Sequence, residues 1–205
     1  MKDTIKMVAA IVIFAVVACS GLAIVYEKTA PAIAKNNEKI LNDALSSLFP
    51  LLNEGANATK IQDSLSNSFD GVTLGDTYKI EQNGQILGLA ITSSSFGFQA
   101  DIKALVGVGT DGRIVGVKIM ENTDTPGLGA NAGKETYYVD KPNKITFYGQ
   151  YAGKDASSEL KVAKDGGDIV AITASTISSR AVTKLVTAAA QSGSSWLQNA
   201  QGGAN

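Results

Sequence analysis

Hydroxyl side chains crowd one short stretch of this chain. In "TASTISSRAV", Thr173 to Val182, the residues Thr173, Ser175, Thr176, Ser178 and Ser179 stand just ahead of an apolar pattern of helical period. A Ser or Thr at a helix entrance commonly accepts a backbone N–H and caps the helix, and Ser178 or Ser179 is the expected cap here. A helix entrance also favours an anion, because its first N–H groups are free and the dipole is positive there. These hydroxyls therefore read either as a capping set or as a place where a phosphate is held or attached. A second stretch, "TPGLG" from Thr125 to Gly129, reads as a tight turn. Pro126 fixes its own φ, and Gly127 and Gly129 open conformations closed to other residues. Such a loop lets a flat ring or a phosphate approach the main chain; it is equally an ordinary turn.

The composition removes most other chemistry. The chain has 205 residues, 18 Lys plus Arg, 19 Asp plus Glu, no His and a single Cys, Cys19. Without His there is no Ser-His-Asp triad and no imidazole metal site, and one Cys leaves no intrachain disulfide. No cluster of Cys is available for an iron–sulfur centre. A net charge of -1 without a dense basic run argues against a nucleic-acid surface. Any redox work must then be carried by an organic cofactor.

Several elements must position these stretches. "MVAAIVIFAVVACSGLAIVY", Met7 to Tyr26, is uncharged, and its twenty residues span about 30 Å as a helix, the thickness of a bilayer core. Lys2 and Lys6 precede it, so the positive-inside tendency places the N-terminus in the cytoplasm and the remainder outside. Pro31 suits a helix end just beyond the membrane. A cleaved signal peptide, or lipidation at Cys19 in "VVAC", would also deliver the rest of the chain to the outer side. Ala34 to Phe49 places Ile40, Leu41, Ala44, Leu45 and Leu48 on one helical face ahead of Pro50. "NEGANATK" reads as a polar connector. Asn83-Gly84 and Asp111-Gly112, each flanked by strand-like residues, mark two β-hairpins. Glu121 to Ile169 is long and loop-rich, with short elements expected in "KITFYGQ" and "ELKVAK", and long loops are often functional. A short strand at Val170 to Ile172 then leads into a helix bearing Ala181, Val182, Leu185, Val186, Ala189 and Ala190, with Trp196 and Leu197 extending its face. The fold class is α+β: one N-terminal transmembrane helix, then a single exported domain with an antiparallel sheet and flanking helices.

The pairing of "TDTPGLG" with "ITASTISSRAV", about fifty residues apart behind one membrane helix, resembles the FMN-binding subunits of two related respiratory complexes. These are the G subunit of the Rnf ferredoxin:NAD oxidoreductase and the C subunit of the sodium-translocating NADH:quinone reductase, whose signatures look like E-T-P-G-L-G and S/T-G-A-T-x-[ST]-S. The chain length is more similar to the Rnf protein. The resemblance implies a membrane-anchored electron carrier whose FMN is joined by a phosphoester to Thr176, put there by a separate flavin transferase. It implies further FMN contacts from Thr125, Gly127, Leu128, Gly129 and Lys164, and from Thr173, Ala174, Ser175, Ser178 and Ser179 around the attachment point. It also implies other membrane and cytoplasmic Rnf-type subunits as partners and an FMN domain on the outer, periplasmic side of the inner membrane. The expected division is 1–6 cytoplasmic, 7–26 transmembrane, 27–75 juxtamembrane and helical, 76–200 FMN-binding and 201–205 a disordered tail. The C subunit of the quinone reductase, or an anchored binding module without redox chemistry, are the alternatives. Two departures stand out. Ala174 and Ser175 replace the usual Gly-Ala, and a Cβ at Ala174 makes a positive φ costly there. Asp124 replaces the first Glu of the loop motif.

Overall fold

The computed structural model describes residues 2–62, 65 and 69–202. Two compact units divide the chain, Met1–Asn42 and Asp43–Asn205.

The first unit is helical, within α1 (Lys2–Leu48). An 18-residue window of α1 has a mean hydropathy of 2.9 and none of it is buried, so the helix is long and apolar enough to cross a bilayer. Pro31 lies inside α1 instead of ending it. The residues that follow, including Ala32, Ala34, Lys35, Glu38 and Lys39, are strong helix formers. The Thr29 hydroxyl donates to the carbonyls of Val25 and Tyr26 in the turn ahead of the proline. The expected break between a membrane helix and a second amphipathic helix is therefore absent.

In the second unit five strands form an antiparallel meander in the order β1-β2-β3-β4-β5. They are β1 (Asn57–Ile61), β2 (Val72–Gln82), β3 (Gln85–Phe96), β4 (Asp101–Gly109) and β5 (Ile114–Asn122). Both expected hairpins are present. Asn83 and Gly84 join β2 to β3 with φ of 53° and 78°, the paired positive values that a two-residue turn requires. The "NEGANATK" stretch is not a plain connector: Asn57–Ile61 pairs with β2, from Asn57↔Glu81 to Ile61↔Thr77, as an edge strand. Its polar side chains reflect its exposed place at the sheet edge, not a loop. β1 and the first residues of β2 thus fall within 27–75, where the sequence suggests helix.

The C-terminal helix α2 (Thr176–Gly202) covers one face of the sheet. Val182, Leu185, Val186 and Ala189 are fully buried against Leu89, Ile91, Val106 and Val108. Burial of each larger side chain contributes about 1.5–3 kcal/mol. Gly193 permits the close approach, since a Cβ there would stand 2.7 Å from Ile91 Cδ1. Leu197 is buried and Trp196 half-buried, continuing the expected face. Residues 201 and 202, the start of the expected tail, continue α2, while 203–205 lie outside the described residues. On the opposite face the Phe49 ring packs over Gly88 and Gly107.

The loop-rich region is anchored rather than loose. Phe147, Tyr151, Ala156, Val162, Ile169 and Ile172 are buried, and the Phe147 and Tyr151 rings meet edge to face at 5.9 Å. The buried Tyr151 hydroxyl lies 2.8 Å from Thr183 Oγ1 on α2. The "KITFYGQ" stretch holds β7 (Ile145–Thr146) and opens the 3-10 turn Tyr148–Tyr151, and "ELKVAK" leads into the 3-10 turn Ala163–Asp165; β7 pairs with β6 (Tyr138–Asp140), a strand the sequence does not mark. Val170 to Ile172 is not a strand. Its backbone is satisfied by side chains instead: Val170 N–H donates to Gln150 Oε1 at 2.8 Å and Ile172 N–H to Ser179 Oγ at 3.0 Å.

Candidate functional site

The hydroxyl-rich stretch forms the corner between Ile172 and α2. The helix begins at Thr176, earlier than the cap expected at Ser178 or Ser179, so Ser175 stands at the N-cap position. Three hydrogen bonds fix this corner. Ser175 N–H donates to the Ile172 carbonyl at 3.0 Å, while the Ser179 N–H and hydroxyl both donate to the Ser175 carbonyl, at 3.0 and 2.9 Å. Closing it forces Ala174 to φ +59°, the left-handed region, where the related signature has glycine. Ser179 is thus a buried brace, not a cap.

Ser175 is 7% exposed, yet its hydroxyl has no hydrogen-bond partner among the described residues. It does not cap the helix beside it. The N–H groups of Thr176, Ile177 and Ser178 precede the first intrahelical bond and have no acceptor within α2. Among the described residues, the helix entrance therefore presents unpaired donors, an unpaired hydroxyl and the positive end of the dipole. Thr176, half-buried, accepts at Oγ1 from Lys164 Nζ at 3.1 Å.

The "TPGLG" loop closes on the same corner. Thr125 carbonyl accepts the N–H groups of Leu128 and Ala130, at 3.1 and 3.2 Å, and Asn131 Nδ2 donates to the Gly127 carbonyl at 2.7 Å. Gly127 has φ +80° in this turn. Asp124, 2% exposed, joins the pieces. Its carboxylate accepts from the Ser178 hydroxyl at 2.6 Å, Thr125 N–H at 2.9 Å and Phe98 N–H at 3.2 Å. Burial pushes its pKa upward, but the Ser178 hydroxyl and the N–H groups of Phe98, Thr125 and Gln99 outweigh that and hold it below the usual carboxylate range. Gly129 faces this pair so closely that a Cβ would overlap both Asp124 Oδ2 and Ser178 Oγ.

Between loop and helix lies a cleft of about 310 Å³. One wall carries Asp124, Thr125, Leu128 and Gly129, the other Ala174, Ser175, Thr176, Ile177 and Ser178, with Phe98 at the side. Leu128, Ile177 and Phe98 are 40%, 52% and 57% exposed, an apolar mouth above a polar floor. Of the residues that the sequence singles out, Thr125, Leu128, Gly129, Ala174, Ser175, Thr176 and Ser178 meet in this cleft. Gly127, Thr173, Lys164 and Ser179 do not line it. Lys164 reaches it through Thr176, Ser179 braces it from beneath, and Thr173 is exposed in the preceding turn. The sequence alone does not point to Phe98 or Ile177, and it marks Asp124 only as a substitution in a motif. The spacing of Asp124 to Ser178 carries no signal, since 54 residues separate them.

A model of the FMN-binding domain matches residues 97–191, which contain every residue of the cleft. The G subunit of the proton-translocating ferredoxin:NAD(+) oxidoreductase complex of Clostridium ljungdahlii is 31% identical over 166 residues, 80% of this chain and 77% of the relative. The chain belongs to the G-subunit family of ion-translocating oxidoreductase complexes. The family's member in the ion-translocating oxidoreductase complex of Vibrio cholerae is 30% identical, over 85% of this chain and 82% of its own length. The crystal structure of Shewanella oneidensis NqrC shares the fold, with a TM-score of 0.55 at 16% identity, covering 81% of this chain and 99% of that one. To the FMN-binding domain of this family, the present chain brings a cleft with an apolar mouth above a polar floor at a helix entrance.

Proposed function

We propose that this chain is a membrane-anchored electron-transfer subunit of an Rnf-type complex, with FMN joined through a phosphoester to Thr176 Oγ1. The observation that carries the reading is the Thr176 hydroxyl at an uncapped helix entrance, with Lys164 Nζ at 3.1 Å. The residues fit the group on their own chemistry. Ser175 Oγ and the free N–H groups of Thr176, Ile177 and Ser178 are donors for a phosphate, and Lys164 offsets its charge. Leu128, Ile177 and Phe98 offer apolar surface for a flat ring. FMN bound there would supply the redox chemistry that the side chains of this His-free chain lack.

Thr176 would hold the group by a bond, so retention would not depend on free FMN around an exported domain. Asp124 and Ser178 would keep the two cleft walls in register, and Ser179 would hold Thr176 at its corner. α1 supports membrane anchoring, and Lys2 and Lys6 support a cytoplasmic N-terminus with the FMN domain outside. Partners of Rnf type, and a flavin transferase for maturation, follow from the same reading. The relatives at 30–31% identity favour the Rnf assignment over the C subunit of the quinone reductase, since the likeness to NqrC is one of fold.

The test is in-gel fluorescence after denaturing electrophoresis of the full chain produced with a flavin transferase. Wild type, Ser175→Ala and Thr173→Ala should give a fluorescent band, and Thr176→Ala should give none. A fluorescent Thr176→Ala band would move the bond to another residue.

A further inference from the structure

The 3-10 turn Ala163–Asp165 presents two adjacent side chains to two residues one helical turn apart on α2. Lys164 Nζ donates to Thr176 Oγ1 at 3.1 Å. Its neighbour Asp165 accepts from Arg180 in a two-pronged pair, Nε to Oδ2 at 2.7 Å and Nη2 to Oδ1 at 2.6 Å. Thr176 and Arg180 stand at i and i+4, so they lie on one face of the helix. Through these side chains the turn is tied to α2. Its backbone bonds run within 161–169 instead, such as Ala163 N–H to the Ile169 carbonyl at 2.8 Å.

A lysine ammonium is a hydrated point charge on a flexible stem, with no geometric fork of its own. Lys164 is exposed, so its own side chain does little to fix its head on Thr176. The Arg180 guanidinium is planar and matches a carboxylate in two places, which sets the orientation of the turn as well as its distance. Fixing Asp165 fixes the backbone one residue from Lys164. We propose that Arg180 is a positioning residue for flavin attachment: through Asp165 it seats Lys164 on the Thr176 oxygen.

The inference rests on the reading of Thr176 as the attachment point. The step it serves forms the Thr176 Oγ1–P bond while the pyrophosphate bond of a flavin dinucleotide donor breaks. The nucleoside monophosphate half leaves, and the hydroxyl proton passes to a base on the transferase. Lys164, seated, offsets the negative charge gathering at that oxygen and phosphate. No electron is exchanged in the step.

The experiment measures the initial rate of flavin incorporation into the full chain in detergent, with purified transferase and dinucleotide donor, read by intact mass. Arg180→Gln and Asp165→Asn should each slow incorporation about two- to fivefold, the range that an exposed ion pair can supply. In a Lys164→Met background, Arg180→Gln should cause no further loss, because the residue through which it acts is gone. The exchanged pair, Asp165→Arg with Arg180→Asp, should recover part of the rate. Trp196 fluorescence of the unlabelled variants verifies that each is folded, and Arg180→Lys, which keeps the charge but not the fork, provides a milder second variant with an intermediate rate. Incorporation at the wild-type rate in Arg180→Gln overturns the inference alone, as does an equal loss in the presence and absence of Lys164. An unlabelled wild type, or a labelled Thr176→Ala, overturns the attachment reading and this inference with it.

Discussion

Replacing Ala174 by glycine should stabilise the protein, against the usual direction of substitutions at a site. Ala174 has φ +59°, two residues before Thr176. An L-residue in the left-handed region costs about 1–2 kcal/mol. Asn83 shares that region, but asparagine tolerates it in a hairpin turn. The alanine methyl has no such compensation and is exposed, so removing it sacrifices no packing. Glycine gives back part of the gain through its greater freedom in the unfolded chain, about 0.4–1 kcal/mol. Taking the middle of each range, the net effect of Ala174→Gly is a gain of about 0.8 kcal/mol, or about 2–3 °C in Tm for a domain of this size. Trp196, the single tryptophan, is half-buried against the core and reports unfolding of the full chain in detergent. Ala174→Val should lose stability, because a β-branched residue is costlier still at positive φ. A Tm for Ala174→Gly at or below wild type would refute the argument, since it would mean that the corner is not strained by the Cβ.

Other perturbations test the elements around the cleft. Gly129→Ala should cost about 1–3 kcal/mol by overpacking against the Asp124–Ser178 pair, measured by urea unfolding. Asp124→Asn should remove a pH-dependent part of the stability. Asp124 is held below the carboxylate range when folded, so its contribution is present above the unfolded value, about 4, and is lost as the pH falls through its folded value. The difference in unfolding free energy between wild type and Asp124→Asn should therefore shrink on acidification; a difference constant with pH would contradict it. Leu185→Ala should cost about 2–5 kcal/mol in the same urea titration, because Leu185 is fully buried between α2 and the sheet.

Much of this fold is legible in the sequence because its signals are local. Asn83-Gly84 and Asp111-Gly112 dictate their turns through backbone chemistry, and the apolar period of α2 needs no partner to be recognised. Where tertiary context decides, the sequence is ambiguous. Asn57–Ile61 is a strand because β2 offers it an edge, and Val170–Ile172 is not one because Gln150 and Ser179 take its hydrogen bonds. Pro31 looks like a terminator, but strong helix formers on both sides carry α1 through it. Within the cleft, the hydroxyl cluster and the glycine loop are visible as motifs. Their roles are not, since one oxygen braces, one pairs with a buried carboxylate, one is unpartnered and one meets a lysine. Only distances across the fold separate these roles. Arg180 and Phe98 give no local signal, because their partners are remote in the chain.

The most direct test is peptide mapping of the protein taken from its native membrane. Trypsin cuts after Lys164 and Arg180, so a single peptide, Asp165 to Arg180, holds all the candidate oxygens. Fragmentation of that peptide should place an FMN adduct on Thr176. An unmodified peptide, or an adduct on Thr173, Ser175, Ser178 or Ser179, would contradict the account.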